Sequence, residues 1–168
     1  ASLVELAELL SIPVVQHPTF VNFPTDHPLY LGAETVKHAK GADVIFLIDV
    51  DVPWHQANRD FLRPDAKIVH LERDPLFSSI PIWGFAADLS LTGCSEISLP
   101  VLNGIIKRRM VADTSRNSLI AERRKKIEGE HQSMVRERDA RIEGAKNEKP
   151  IHPLFRKPPL CSTTHHVN

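Results

Sequence analysis

The chain has 168 residues, of which 42% are hydrophobic and 25% charged, which fits about one globular domain and argues against a disordered or membrane class. Lys plus Arg and Asp plus Glu each number 21, so net charge gives no argument for a nucleic acid or other polyanion as partner. Its two cysteines, Cys94 and Cys161, have no metal-ligand spacing and suggest no disulfide framework, which fits a reducing intracellular compartment, cytoplasmic or organellar.

Leu3, Leu6, Ala7 and Leu10 recur at helical spacing, and the chain starts inside this pattern with no initiator Met, basic n-region or targeting signal, so it reads as a cut end. Ile12-Pro13-Val14-Val15 predicts a short strand. From His17 to Gly32 the chain carries Pro18, Pro24 and Pro28 with Asn22 and Asp26, a composition that predicts a long surface loop. A short helix is expected over Ala33 to Ala39, ending at Lys40-Gly41. The next run, Val44 to Ile48 between Asp43 and Asp49, is apolar on both faces and predicts the central strand of a parallel sheet with helices on each side. Ala66 to Leu71 predicts a second strand and Ile82 to Leu91 a less regular third, at spacings that suit βαβ crossovers. Leu102, Ile105, Ile106 and Met110 predict a helix over Leu99 to Met110 with Pro100 in its first turn. No apolar run approaches the ~20 residues of a membrane span.

Seventeen of the 34 residues from Arg116 to Lys149 are charged, which predicts a solvated helix serving as linker or docking element. Ile120, Ile127 and Met134 lie seven apart, a weak coiled-coil seam. The tail from Pro150 to Asn168 has four prolines and is expected to be disordered. The expected organisation is therefore an α/β domain over 1–112, a charged helical linker over 113–149 and a tail over 150–168.

Chemistry is sparse. Asp49 and Asp51 follow the central strand, where parallel sheets place their ligands, and suit either a metal-nucleotide site of Asp-x-Asp type or loop capping before Pro53-Trp54. Capping is the commoner use of so short a pattern. Glu72 and Asp74 end the second strand, where an acid can bind a ribose hydroxyl, yet no G-x-G-x-x-G turn precedes them and Asp74-Pro75 is also good turn chemistry. His17, His27, His38, His55 and His70 are scattered without paired ligand spacing, so no metal site and no catalytic residue is assigned. The clusters Lys107-Arg108-Arg109 and Arg123-Arg124-Lys125-Lys126 read as a solvated face, the second being offset by Glu122, Glu128 and Glu130.

Several ordered blocks nevertheless resemble one family. Phe20 to Gly32, Ala42-Asp43-Val44, Asp49 to Trp54, Asp65 to Leu76 and Ile80 to Leu89 look like the central domain of thiamine-diphosphate-dependent enzymes, closest to acetolactate synthase-like members. Lys149-Pro150-Ile151-His152-Pro153 resembles the linker into the next domain. The resemblance covers about residues 3 to 110 and implies a Rossmann-like, three-layer α/β domain, here incomplete, built on a six-stranded parallel sheet. It would lie between a pyrimidine-binding domain that carries the catalytic glutamate and a diphosphate-binding domain whose G-D-G…N motif holds Mg²⁺. The parent would be a homo-oligomeric carboligase or decarboxylase in which a thiazolium carbanion attacks a 2-keto acid or acyl donor. On this resemblance thiamine diphosphate and Mg²⁺ bind outside these residues, and the fragment alone is inactive. Some relatives bind FAD or ADP across this domain, which implies Asp49, Asp51, Glu72 and Asp74 as candidate contacts. The alternatives are a free-standing FAD-, ADP- or NAD-binding module and an Asp-x-Asp nucleotide-sugar enzyme.

Overall fold

The computed structural model describes residues 2–17, 23–54, 60–76, 78 and 85–147. The elements in chain order are α1 (Ser2–Leu10), α2 (Thr35–Ala39), β1 (Val44–Ile48), β2 (Lys67–Glu72), β3 (Leu89–Thr92), α3 (Ser95–Ala112) and α4 (Asn117–Asn147). The three strands form one parallel sheet in the order β1-β2-β3, with Ile48 opposite Leu71 and Glu72 opposite Thr92. The protein is thus α/β with a parallel sheet, and three strands stand among the described residues where the resemblance implies six.

Successive side chains of a strand point to opposite faces, and both faces of this sheet are covered. On one side Leu71, Phe46 and Ile48 pack with Leu6 and Leu10 of α1 and with Leu99, Leu102 and Ile106 of α3. On the other, Leu47, Ile45 and Ile68 pack beneath Trp54, Phe61, Leu62, Phe85 and Ala87, and both aromatic partners meet Trp54 edge to face. The two-sided apolar pattern of β1 is explained by this. The described residues of this second cover, Trp54, Phe61, Leu62, Phe85 and Ala87, lie outside helices and strands.

α1 stops in a left-handed residue, Ser11 (φ 49°). The Ile12 amide donates to the Ala7 carbonyl and the Ser11 amide to that of Glu8, the paired bonds that close a helix end. The chain then runs on as a single parallel bridge, Val14 to Tyr30, so the expected strand over Ile12 to Val15 is reduced to one pair. Pro13 explains the reduction, since it has no amide to give to a ladder. Its partner lies in the expected surface loop, which in fact carries buried Phe23, Leu29 and Leu31. With Ala7 and Ile127 these form a second core cluster.

Two further boundaries move. The third strand occupies Leu89–Thr92, later than expected, and the expected start at Ile82 lies outside the described residues, as does the tail from Pro150 onward. α3 begins at Ser95, four residues before the periodicity suggested, so Pro100 sits inside the helix and not in its first turn. α3 is bolted to α1 by Asn103, whose amide donates to the Ser2 carbonyl (2.9 Å) and the Glu5 carboxylate (2.8 Å), and by the ion pair of Lys107 with Glu5. The Lys107 ammonium, then the Asn103 amide, hold the Glu5 carboxyl below its ordinary value.

The chain divides into two compact units, 1–134 and 135–168. Within the first, the opening turns of α4 are not solvated all round as their charge suggested: Ile127 and His131 are buried. Within the second, the described part is the end of α4, exposed and charged, with Arg138 paired to Asp139. No helix among the described residues is long and apolar enough to cross a membrane.

Candidate functional site

Parallel strands end together, so the residues just beyond β1, β2 and β3 share one crest. The Asp49 amide donates to the Leu71 carbonyl (3.0 Å) and the Gly93 amide to the Glu72 carbonyl (2.9 Å), which carries the ladder one step past each strand end. Asp49, Glu72 and the Gly93-Cys94 turn into α3 are thereby placed in a row. A Cβ at Gly93 would lie 2.9 Å from the Ser98 hydroxyl, so a larger residue there would have to turn that side chain aside.

The four acids expected from the sequence are all at this edge, and Asp49, Glu72 and Asp74 each accept hydrogen bonds there. Asp49 adopts a left-handed backbone (φ 50°) that aims its carboxylate at the start of α3, where the Ser95 hydroxyl donates to it. A negative charge is favourable at a helix N-terminus, but the bond comes from a side-chain hydroxyl and the residue before α3, Cys94, has no side-chain cap, so this is not the loop capping before Pro53-Trp54 that the sequence allowed. Glu72 accepts the amide of Arg73 (2.8 Å), and Asp74 accepts both the amide and the hydroxyl of Ser78 (2.9 and 2.8 Å). Asp51 is exposed beyond Asp49.

At the centre lies a residue that sequence reasoning set aside with the other histidines. His70, in the middle of β2, is 2% exposed and points to the sheet face opposite α1 and α3. Burial pushes its pKa down, against the nearby Glu72, a bond to the Val50 backbone, and the Asp49 and Asp51 carboxylates, which all pull it up. The signal was available: a lone imidazole inside the apolar run Ile68 to Leu71, flanked in sequence by a strand-end acid, must be paired when buried.

On the rim, the Arg73 guanidinium approaches the Cys94 sulfur at 3.9 Å. This pairing first, and the Glu96 and Ile97 amides at the start of α3 after it, hold the Cys94 thiol below its ordinary pKa. The same contact raises that of Arg73. The edge as a whole is acidic and hydrogen-bonded to itself. Among the described residues no group of three or more His, Cys, Asp or Glu side chains is arranged to hold a metal ion. Neither the protein-family models nor the curated proteins contain a match to this chain.

Proposed function

We propose that this chain is the central domain of a thiamine-diphosphate-dependent enzyme of the acetolactate synthase-like kind, in which it positions the pyrimidine-binding and diphosphate-binding domains and carries no step of the chemistry. On this reading the sheet is the core of a three-layer, Rossmann-like domain, and the full enzyme is a homo-oligomer acting on 2-keto acids or acyl donors. The observation that supports it is the crest of a parallel sheet whose carboxylates serve the fold: Asp49 accepts the Ser95 hydroxyl at the start of α3, Glu72 holds the Arg73 amide and Asp74 holds the Ser78 turn. The ordered sequence blocks from Phe20 to Leu89 supply the family.

Thiamine diphosphate and Mg²⁺ do not fit the residues present. An edge bearing Asp49, Asp51 and Glu72 repels a diphosphate, and among the described residues no group of three or more His, Cys, Asp or Glu side chains is arranged around an ion. Calorimetric titration of the purified chain with thiamine diphosphate and Mg²⁺ is expected to give no heat of specific binding, and affinity in the micromolar range would overturn the assignment. Sequencing the gene on both sides is expected to reveal a G-D-G…N block downstream, and its absence would count equally against the family.

One observation favours a second reading. Asp51 follows the end of β1 and Glu72 is the last residue of the neighbouring β2, at the edge where the hydroxyls of a nucleotide ribose are bound in parallel α/β sheets. A nucleotide module would be stabilised by FAD, ADP or NAD, by about 2.7 kcal/mol at a hundred times the dissociation constant, which a thermal-shift assay detects readily. The Asp-x-Asp nucleotide-sugar reading is weaker, because Asp49 is already engaged by Ser95. It requires Mn²⁺-dependent binding of a nucleotide sugar that Asp51→Asn abolishes.

A further inference from the structure

The opening turns of α4 lie across the segment that runs from Phe23 to Gly32, and the way they are fastened is unusual for a core helix. Only Ile127 is a buried apolar side chain, completing the cluster of Ala7, Phe23, Leu29 and Leu31. One turn later His131, also buried, bonds through Nδ1 to the Tyr30 carbonyl at 2.8 Å. Beyond it Gly32 lies against Met134, since a Cβ on Gly32 would come within 3.2 Å of the sulfur. One turn before Ile127, Arg123 donates to the Leu10 carbonyl at 3.1 Å, the free end of α1. The contacts therefore run in a single line, 123, 127, 131 and 134, along an otherwise charged helix.

A helix held by one line has little to keep it in place. One buried Ile side chain and a few hydrogen bonds to backbone carbonyls are a small share of what holds a domain together. The sheet, by contrast, is packed on both faces and tied by α1 and α3. Regions with few buried apolar contacts open at lower free energy than the rest of a domain.

We propose that residues 117–134 of α4 form a detachable strap, which opens as a unit while the parallel sheet stays folded and so uncovers Phe23, Leu29 and Leu31. The strap closes on four features: the Arg123 bond to the Leu10 carbonyl, the Ile127 side chain, the His131 ring on the Tyr30 carbonyl and the close approach of Met134 to Gly32. The uncovered surface is apolar, at the junction of α1 with the 23–32 segment. The device is independent of the thiamine-diphosphate reading, because none of its contacts involves the crest.

Native-state hydrogen exchange on the full chain, resolved by residue, tests this with two variants. Ile68→Val loosens the sheet core without touching the strap. It is expected to lower protection of the Lys67–Glu72 amides roughly two- to tenfold and leave those of 123–134 unchanged. Ile127→Ala loosens the closed strap relative to every open form and is expected to lower protection in both regions. The strap amides of the unaltered chain should also show the smaller dependence on denaturant, since their opening exposes less surface. If Ile68→Val lowers protection in β2 and α4 together, or if both regions share one denaturant dependence, the helix opens only on global unfolding and there is no strap. Ile68→Val removes a single methylene, so the decisive arm does not depend on a severely destabilised variant.

Discussion

Asp49 combines a backbone conformation that an L-residue resists with a carboxylate that accepts the hydroxyl of Ser95, 46 residues away in sequence. The left-handed region costs roughly 1–2 kcal/mol for an ordinary residue, and Asp is among the few whose short polar side chain tolerates it. Asp49→Ala keeps the strain and loses the bond from Ser95. Urea denaturation is expected to show a loss of about 1–3 kcal/mol, and a change below ~0.5 would mean the bond contributes nothing. His70 makes a separate prediction. Burial lowers its pKa in the folded protein, and His38 is lowered too, by burial first and by Lys37 second. As pH falls below the ordinary histidine value of 6.5, the unfolded chain takes up protons that the folded one resists, so stability declines with acid until the lowered values are passed. Glu5 acts in the same sense but only below its ordinary value of 4.5, because its folded pKa is depressed by Lys107 and Asn103 and its contribution is present above that range. Stability measured between about pH 7.5 and 5.5 should therefore fall for the natural chain and fall less for His70→Gln. An identical slope in both would remove His70 from the account. The four acids could be placed at the strand ends from sequence alone, because carboxylates after an apolar run belong at a sheet edge. The local bond of Asp74 to Ser78 fits the turn chemistry that Asp74-Pro75 suggests, whereas Ser95, 46 residues from Asp49, is a partner that only the fold supplies.

At the level of elements, the strands were legible where the apolar run was long. Val44 to Ile48 was recognisable as a strand covered on both faces, and it is one. Leu89–Thr92 was misplaced, because a short strand exposed at all four positions has no alternation to read. α3 was the harder case. Leu99 and Asn103 face inward while Ile97, Val101 and Ile105, four apart, are exposed on the opposite side, so apolar residues surround the helix and blur its periodicity. Its start was read too late for that reason, and Pro100 was assigned to a first turn. In the structure Pro100 is the sixth residue of the helix, where it lacks the amide that would reach the Glu96 carbonyl. Pro100→Ala is thus expected to raise the denaturation midpoint by the equivalent of about 1–3 kcal/mol. A proline in the first turn would be replaced with no gain, so a neutral result would restore the shorter helix.

For the molecule as a whole, the sheet is narrow and neither of its edge strands is paired on the outside among the described residues. Val44 on β1 and Leu89 on β3 are 56% and 50% exposed. Unpaired edges with apolar side chains template association with other chains, and a charge on the edge suppresses it. Leu89→Lys is accordingly expected to reduce concentration-dependent light scattering of the purified chain while leaving its stability within about 0.5 kcal/mol. Unchanged scattering would direct attention to the exposed Ile97, Val101 and Ile105 face of α3 instead.

Composition and patterning were enough to establish an α/β protein with a parallel sheet and a long charged helix, because both-face burial and charge density are written in local runs of residues. What needed three dimensions was every contact between residues far apart in the chain. The burial of His70 within the sheet, the bond from Ser95 to Asp49, and the burial of Ile127 and His131 in an otherwise charged helix all depend on which segments meet. A side chain's type limits what it can do, but its neighbours decide the dielectric and the hydrogen bonds around it, and these come from the fold.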